Sequence, residues 1–550
     1  MKLHHTFLPA AALAIAATPV LAQQQPDAGR LLQETTQTLP RPAQNPGVAI
    51  DILKPADMQM PGGLQVKIDS IRIDGNSRIP QAQLLDALGP VSGKTYDFAG
   101  LSALAAKLTA YYQAQGYPFA RVYLPQQDLA GGQLQLHVLE GRYGRVTAHG
   151  EPAFIEGAQG FLSHLPVGAI MESPDLERVT LILDDQPGVR TRPVVRPGRE
   201  VGTGDLLVEV QRDHRYKGEV GIDDYGNRYT GRVRAHANLD IDSPFRLGDQ
   251  IALQSLYTQE RMWFGSLAYA APLGYSGLRG RVGYAHTYYT LGGSFSGLGA
   301  NGTADIASLG LSYPLIRSQA RNVTLSAGLD HKRLHDRQDT TATSSEKSSD
   351  TLPLALSFDV RDGFLRAGIT YGALTWTPGR LHLDDTLAAI DQTTARSAGR
   401  FSKINLDVAR IQSVSEHVDV YGRMSAQWAG GNLDSSEKFG LGGINGVRAY
   451  PSGEGYGDSG WLAQLELRYA AGSCMPYLFY DAGRVTTNRD PWSAVANNHR
   501  SVAGAGAGVR GTYGDWTGNL TLAWKTRGGA ALSDPHDERP VVWASAQYRF

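Results

Sequence analysis

The spacing of apolar positions divides the chain into two regimes. In the first, Val66, Ile68, Ile71 and Ile73 alternate with polar residues, a turn follows at Asp74, Gly75 and Asn76, and Leu84, Leu85 and Leu88 then repeat at helical spacing. A longer helix is predicted over Phe98 to Gln115: Leu101, Leu104, Ala105, Leu108 and Tyr112 fall on one stripe, which Gly116 and Pro118 stop. Two strands, Ala120 to Leu124 and Leu134 to Leu139, complete a small α+β unit in the order strand, helix, helix, strand, strand. The order repeats with Val146 to Ala148, helical stretches near Ala158 to Leu165 and Pro174 to Leu183, and strands Val189 to Val195 and Leu206 to Val210. Two tandem modules are therefore expected, at 64–141 and 142–213.

From residue 214 to 550 the helical period disappears. Sixteen segments alternate apolar with polar positions, Thr230 to Ile241, Leu462 to Tyr469 and Val541 to Phe550 among them, separated by Gly, Asp, Asn and Ser. Their spacing suits membrane strands of about 9 to 11 residues. A soluble sandwich alternates too, so the strand at the end of the sequence discriminates. It sets Val542, Ala544, Ala546, Tyr548 and Phe550 on one face, suited to lipid, and Trp543, Ser545, Gln547 and Arg549 on the other, suited to a wet lumen. Pairing it with the first strand would close a barrel and leave no edge.

At the other end, Lys2 precedes an apolar run from Leu8 to Leu21, and Val20 and Ala22 are small residues suited to signal peptidase. Residues 1–22 thus read as an export signal, with the mature chain expected to start near Gln23. Residues 23–63 read as a linker containing one short amphipathic stretch, Ala28 to Thr36, with Leu31 and Leu32. After the signal no run approaches the roughly 18 to 20 apolar residues of a membrane helix, so any crossing would be by strands. The 64 glycines and 25 tyrosines fit that picture.

The charge balance, 52 basic against 53 acidic residues, offers no bulk attraction for nucleic acid. The single cysteine, Cys474, cannot form an intramolecular disulfide. Gly506, Gly508 and Gly511 match a dinucleotide fingerprint in spacing, yet they lie in a strand pattern with no helix after them. Closely spaced strand glycines instead leave room for something packed inside a barrel. His331 and His335 are four apart without a third ligand nearby, and no nucleophile or metalloprotease constellation survives its context. Neither catalysis, nor a cofactor, nor a metal is expected.

The loop of about 30 residues between Trp428 and Trp461 is long enough to suggest function. Within it, glycines from Gly440 to Gly446 let the backbone fold tightly, and Val447 and Tyr450 set Arg448 in apolar surroundings. The plain alternative is a surface arginine. On the strand that follows the next one, Phe479, Asp481 and Gly483 share a face, opposite Leu478 and Tyr480. An acid on the inner wall needs a counter-charge, so a bidentate Arg448–Asp481 pair is expected to pin the loop in the lumen as a plug.

The run from Phe439 to Tyr450 with Pro451, then Gly460, Trp461 and the Leu465 to Tyr469 strand, resembles the two-partner secretion translocators of the hemolysin secretion/activation family, within the POTRA-bearing outer-membrane β-barrel superfamily. So do Leu478 to Val485, Leu311 to Arg317, and Asp175 to Val189 with Pro187 and Gly188. The resemblance covers nearly the whole mature chain. It implies two periplasmic POTRA domains and a sixteen-stranded outer-membrane barrel whose long sixth extracellular loop enters the lumen. The family's loop motif maps onto Val447, Arg448, Ala449 and Tyr450, with Ala449 where a glycine is usual, and its strand motif onto Phe479, Asp481 and Gly483. Phe550 matches the family's terminal assembly signal, and Ala28 to Thr36 the plug helix of some relatives. The implied partners are a secreted exoprotein bound by the POTRA domains, outer-membrane lipid and the barrel-assembly machinery. A barrel-assembly factor would tend to carry three or more POTRA modules, and a passive porin would give the N-terminal modules no purpose.

Overall fold

The computed structural model describes residues 25–36, 51–52, 65–492 and 497–550, so the expected export signal and most of the linker lie outside the described residues. In the first module, Phe98–Ala114 (α3) lays the expected stripe of Leu101, Leu104, Ala105, Leu108 and Tyr112 against Leu134, Leu136 and Val138. Asp97 caps this helix by accepting from the Gly100 amide at 2.8 Å, satisfying one of the free donors at its start. Truncating the fully buried Leu108 to Ala would cost about 2–5 kcal/mol. The first helix is Gln81–Leu88 (α2). The expected order is corrected in one respect: a short strand, Lys94–Tyr96, lies between the helices and pairs antiparallel with Val66–Ile68. Three residues are too few to show a period.

The second module repeats the arrangement with Arg142–Gly150, Pro152–Leu162 (α4), Ser173–Asp184 (α5), Val189–Pro197 and Thr203–Arg212. In each module one early strand, Ser70–Asp74 in the first and Arg142–Gly150 in the second, runs parallel to the final one, and the final one antiparallel to its predecessor. Helix α4 begins six residues before the expected Ala158, because Pro152 suits the first helical turn, and it ends at Leu162 rather than Leu165. Pro166 disfavours helical geometry at the residue before it.

The remainder is a closed antiparallel barrel. Seventeen strand segments circle it, of which Thr343–Thr351 and Leu354–Asp362 are two parts of one strand interrupted around Pro353, both paired to Arg321–Gln338, giving sixteen strands. The inside–outside alternation is clear in Cys474–Thr486, where Leu478 and Tyr480 are 60% and 50% exposed and Asp481 0%. Tyr216–Asp223 and Val541–Arg549 form the closing seam, in register from Glu219 opposite Arg549 to Asp223 opposite Ser545. Phe550 extends it through two backbone hydrogen bonds with Gly218, at 2.9 and 3.0 Å, and its ring covers that glycine so closely that a Cβ there would lie 2.3 Å away.

The second module docks on the turns at one end of the barrel. Arg317 forms a bidentate pair with Asp185 at 2.5 and 2.7 Å, Arg178 donates to the Pro314 carbonyl at 2.8 Å, and Phe161 meets Tyr275 edge to face. Leu247, from a barrel turn, is buried in the module's own core. The site described below lies inside the barrel, towards the opposite end.

Candidate functional site: a lumen filled by a loop and a helix

Two separate segments occupy the lumen. One is the loop between Val418–Ala429 and Ser459–Tyr469. Its Arg448, 2% exposed, donates from Nη2 to Asp481 Oδ1 at 2.7 Å and from Nε to Oδ2 at 2.8 Å, and its backbone amide donates to Oδ2 at 3.1 Å. The third nitrogen, Nη1, donates to Glu466 Oε1 at 2.5 Å. The guanidinium stacks on the Phe479 ring, 3.7 Å from its centre, and Trp543 Nε1 donates to the Arg448 carbonyl at 2.7 Å. Burial acts against the charged form of Arg448, but Asp481 and Glu466 outweigh it and raise its pKa, so it stays ionised. A surface role for this arginine is thereby excluded. Val447, Ala449 and Tyr450 are fully buried beside it, and the single proton of the Tyr450 hydroxyl is shared between the Arg527 and Gly529 carbonyls, 2.8 and 2.9 Å away.

The glycines of His499–Tyr513 make space for this assembly. A Cβ at Gly504 would lie 2.3 Å from that of Ala449, one at Gly506 2.5 Å from the Phe479 ring and one at Gly508 2.4 Å from the Tyr477 ring. Gly511 faces open space, and so does not share that purpose. Gly483 admits Leu441 of the loop, whose Cδ2 would be 2.7 Å from an added Cβ. Ala449 adopts no left-handed backbone, which is why alanine fits at that position of the motif.

The other segment is Ala28–Thr36 (α1), whose Ala28, Leu31 and Leu32 pack among Tyr229, Met262, Tyr289, Leu291, Ala300, Ala304 and Leu334. Asp27 accepts from the Arg30 amide at 3.0 Å, capping the helix, and pairs with Lys347 at 3.2 Å and Ser435 Oγ at 2.5 Å. Burial raises the Asp27 carboxyl, but Lys347 and Arg30 prevail and hold it at about 2. Glu34 accepts from Asn227 at 2.7 Å, and here burial wins and pushes its carboxyl up. The helix touches the loop at Gly29, where an added Cβ would be 2.4 Å from Ser435 Oγ, and at Tyr456, whose ring lies under Arg30. Loop residue Glu437 pairs with Lys332 at 2.5 Å and Lys403 at 2.8 Å; burial raises its carboxyl, yet the two lysines bring it down to about 2. A cavity of about 1050 Å³ remains between these segments and the wall.

Arg448 and Asp481 were singled out in the sequence; Glu466, Trp543, Asp27, Glu437 and the wall lysines were not. Glu466 carried a usable signal, since it alternates with the outward Leu465 and Leu467 just as Asp481 alternates with Tyr480. His331 and His335 do not converge, as they bond to Asp350 and to Ser344, each at 2.7 Å.

A closed barrel with α+β modules at one end and two chain segments inside defines an outer-membrane pore of the POTRA-bearing class. The ShlB-type POTRA domain family matches residues 66–141, and the haemolysin secretion/activation protein ShlB/FhaC/HecB family matches residues 202–511. The chain belongs to that haemolysin secretion/activation family, and is an outer-membrane translocator of two-partner secretion with its POTRA domains in the periplasm. It is 25% identical over 522 residues to the heme/hemopexin transporter protein HuxB of Haemophilus influenzae (strain 86-028NP), covering 92% of each chain. It is also 25% identical over 487 residues to the outer membrane transporter CdiB of Escherichia coli, covering 82% of this chain and 78% of that one. The solved structure of CdiB from Escherichia coli shares the fold, with a TM-score of 0.70 at 20% identity over 90% of this chain and 93% of that one.

Proposed function

We propose that this translocator exports one large partner exoprotein, which its periplasmic modules receive as an extended segment by sheet-edge addition or in a helix-lined groove. The observation that carries this reading is the composition of the lumen filling. Helix α1 and the loop are held to the wall by ion pairs, capping bonds and two apolar clusters, around Leu31 and Leu32 and around Val447 and Tyr450, and neither is a strand of the barrel, so they can leave while the strand ladder stays whole. Arg448 and Asp481 act as the lock that holds the loop at rest, with Glu466 as a further anchor. No bond is made or broken and no cofactor is required; folding of the exported chain at the cell surface supplies direction. Lipid contacts the outward leucines and aromatic residues, and the barrel-assembly machinery recognises the terminal strand with Phe550. Deleting the gene is expected to remove a single large protein from the cell surface or medium. Unchanged secretion together with defective assembly of other barrels would replace this reading with that of an assembly factor.

A further inference from the structure

Lys332, Lys347 and Lys403 stand on the lumen face of three neighbouring parts of the wall. Lys332 lies opposite Ser349 in the register that sets Lys347 opposite Leu334, and Lys347 and Lys403 both flank the strand Ala367–Leu383, at Leu383 and Thr377. Their side chains are only 15%, 8% and 13% exposed, because the plug covers them. Its carboxylates meet all three. Asp27 of the helix cap and Asp434 of the loop reach Lys347 at 3.2 and 2.8 Å, while the two Glu437 oxygens reach Lys332 and Lys403 at 2.5 and 2.8 Å. The backbone carbonyl of Glu437 takes a second bond from Lys403 at 3.0 Å. The wall itself contributes Asp330, two residues before Lys332, and Asp336, which attracts Lys347 and accepts the first helix amide at 2.8 Å.

The balance of charge at this patch therefore depends on the plug. With Asp27, Asp434 and Glu437 in place, carboxylates outnumber the lysines; with helix and turn withdrawn, the three lysines outnumber Asp330 and Asp336. Withdrawal of the plug thus leaves three ammonium groups on the lumen face in excess of the wall carboxylates, and an incoming carboxylate can remake the charge-assisted contacts that the plug gave up. Each lysine of the patch is thus met by a carboxylate of a segment that is not a strand of the barrel.

We propose that Lys332, Lys347 and Lys403 form a docking track for acidic side chains of the translocating polypeptide, and that Asp27, Asp434 and Glu437 occupy this track at rest in place of the cargo. The inference rests on the exporter reading above. The track favours an extended segment carrying Asp or Glu at intervals, each carboxylate replacing one from the plug as it leaves. Substrate entry and plug withdrawal are thus coupled by exchange of equivalent contacts, which keeps the intermediate states similar in energy.

The test uses the full chain in planar bilayers, with poly-L-glutamate added to the periplasmic side. The first variant lacks residues 27–36 and carries Asp434→Asn and Glu437→Gln, which uncovers the track. The second adds Lys332→Gln, Lys347→Gln and Lys403→Gln, and the third carries arginine at the same three positions. Heat-modifiable migration on gels verifies that each barrel is folded. Poly-L-glutamate is expected to block the first and third variants, and the second only at a concentration at least about tenfold higher, the loss expected for a missing charge-assisted contact. Poly-L-lysine of the same length should block none of them in this range. Equal sensitivity of the first two variants overturns the proposal. Secretion is the second readout. The chain with the three lysine-to-glutamine changes and Glu437→Gln, but with its helix intact, should export less exoprotein than the wild type. Full export by that variant overturns the track while leaving the exporter reading in place. If gene deletion leaves secretion intact, it is the exporter reading that falls.

Discussion

Removing the arginine of the loop should release the loop rather than unfold the barrel. In Arg448→Ala, Asp481 loses its two guanidinium hydrogen bonds at a site where it is 0% exposed. The backbone amide remains a possible donor, but the charge has no partner of its own. Breaking a buried pair from one side costs about 3–5 kcal/mol. Withdrawal of the loop lets water reach the carboxylate and recovers much of that cost, so the penalty falls on the plugged state alone. The opening equilibrium should therefore rise by roughly 10²- to 10³-fold. A cysteine at Val447, fully buried at rest, can report this in a Cys474→Ser background, where no other thiol remains. Its labelling rate with a membrane-impermeant maleimide should increase by that factor in Arg448→Ala and in Asp481→Ala. The double variant should add little to either single change, because both remove the same contact. Secretion should fall while the barrel still assembles. A change in labelling of less than about threefold, or additive effects of the two substitutions, would refute the lock.

Gly29→Val places a side chain where Ser435 Oγ and the Ser436 amide would be 2.4 and 2.7 Å away, so it should expel the helix at a cost of about 1–3 kcal/mol, seen as more frequent channel opening. Gly504→Val directs a methyl into Ala449 and should raise Val447→Cys labelling without touching the ion pair; unchanged labelling would show that the glycine is not making room for the loop. The carboxyls of Asp27 and Glu437, held at about 2 against ordinary values of 3.8 and 4.5, contribute to plug stability above the ordinary range and lose that contribution as pH falls towards 2. Glu34, pushed above its ordinary 4.5, acts in the opposite sense and weakens docking as pH rises through its raised value. Channel opening should then change little or decline slightly from pH 8 to about 5 and increase steeply below about 4; a steep increase already between pH 7 and 6 would contradict the assignment.

Much of this architecture was legible in the sequence because it rests on periods that survive in a single chain. The stripe of α3 and the alternation at Leu478, Phe479, Tyr480 and Asp481 each report a face directly. The extent of α1 was legible too, since Leu31 and Leu32 stand in a short amphipathic stretch within polar surroundings. What did not show was set by distance along the chain. Lys347 meets Asp27 from 320 residues away, and Trp543 meets Arg448 from 95. Lysines on polar alternating strands look alike whether they face lumen water or a buried carboxylate. The strand Lys94–Tyr96 and the start of α4 at Pro152 were missed for a local reason, as three residues or a helix containing two glycines carry too weak a pattern.

Helix α1 precedes both modules in sequence and yet sits within the barrel formed by residues that follow them, while Asp51 and Ile52 pair with Val194 and Val195 in the second module's sheet. Residues 37–50 connect the two places, a span of at most about 50 Å when fully extended. The N-terminal stretch is thus a tail inserted into a ring made by its own chain. The helix is held by wall residues from several strands, among them Tyr229, Met262, Leu334 and Lys347, so its full set of contacts exists only where those strands have paired. Sealing of the pore by this helix therefore depends on a wall assembled around it.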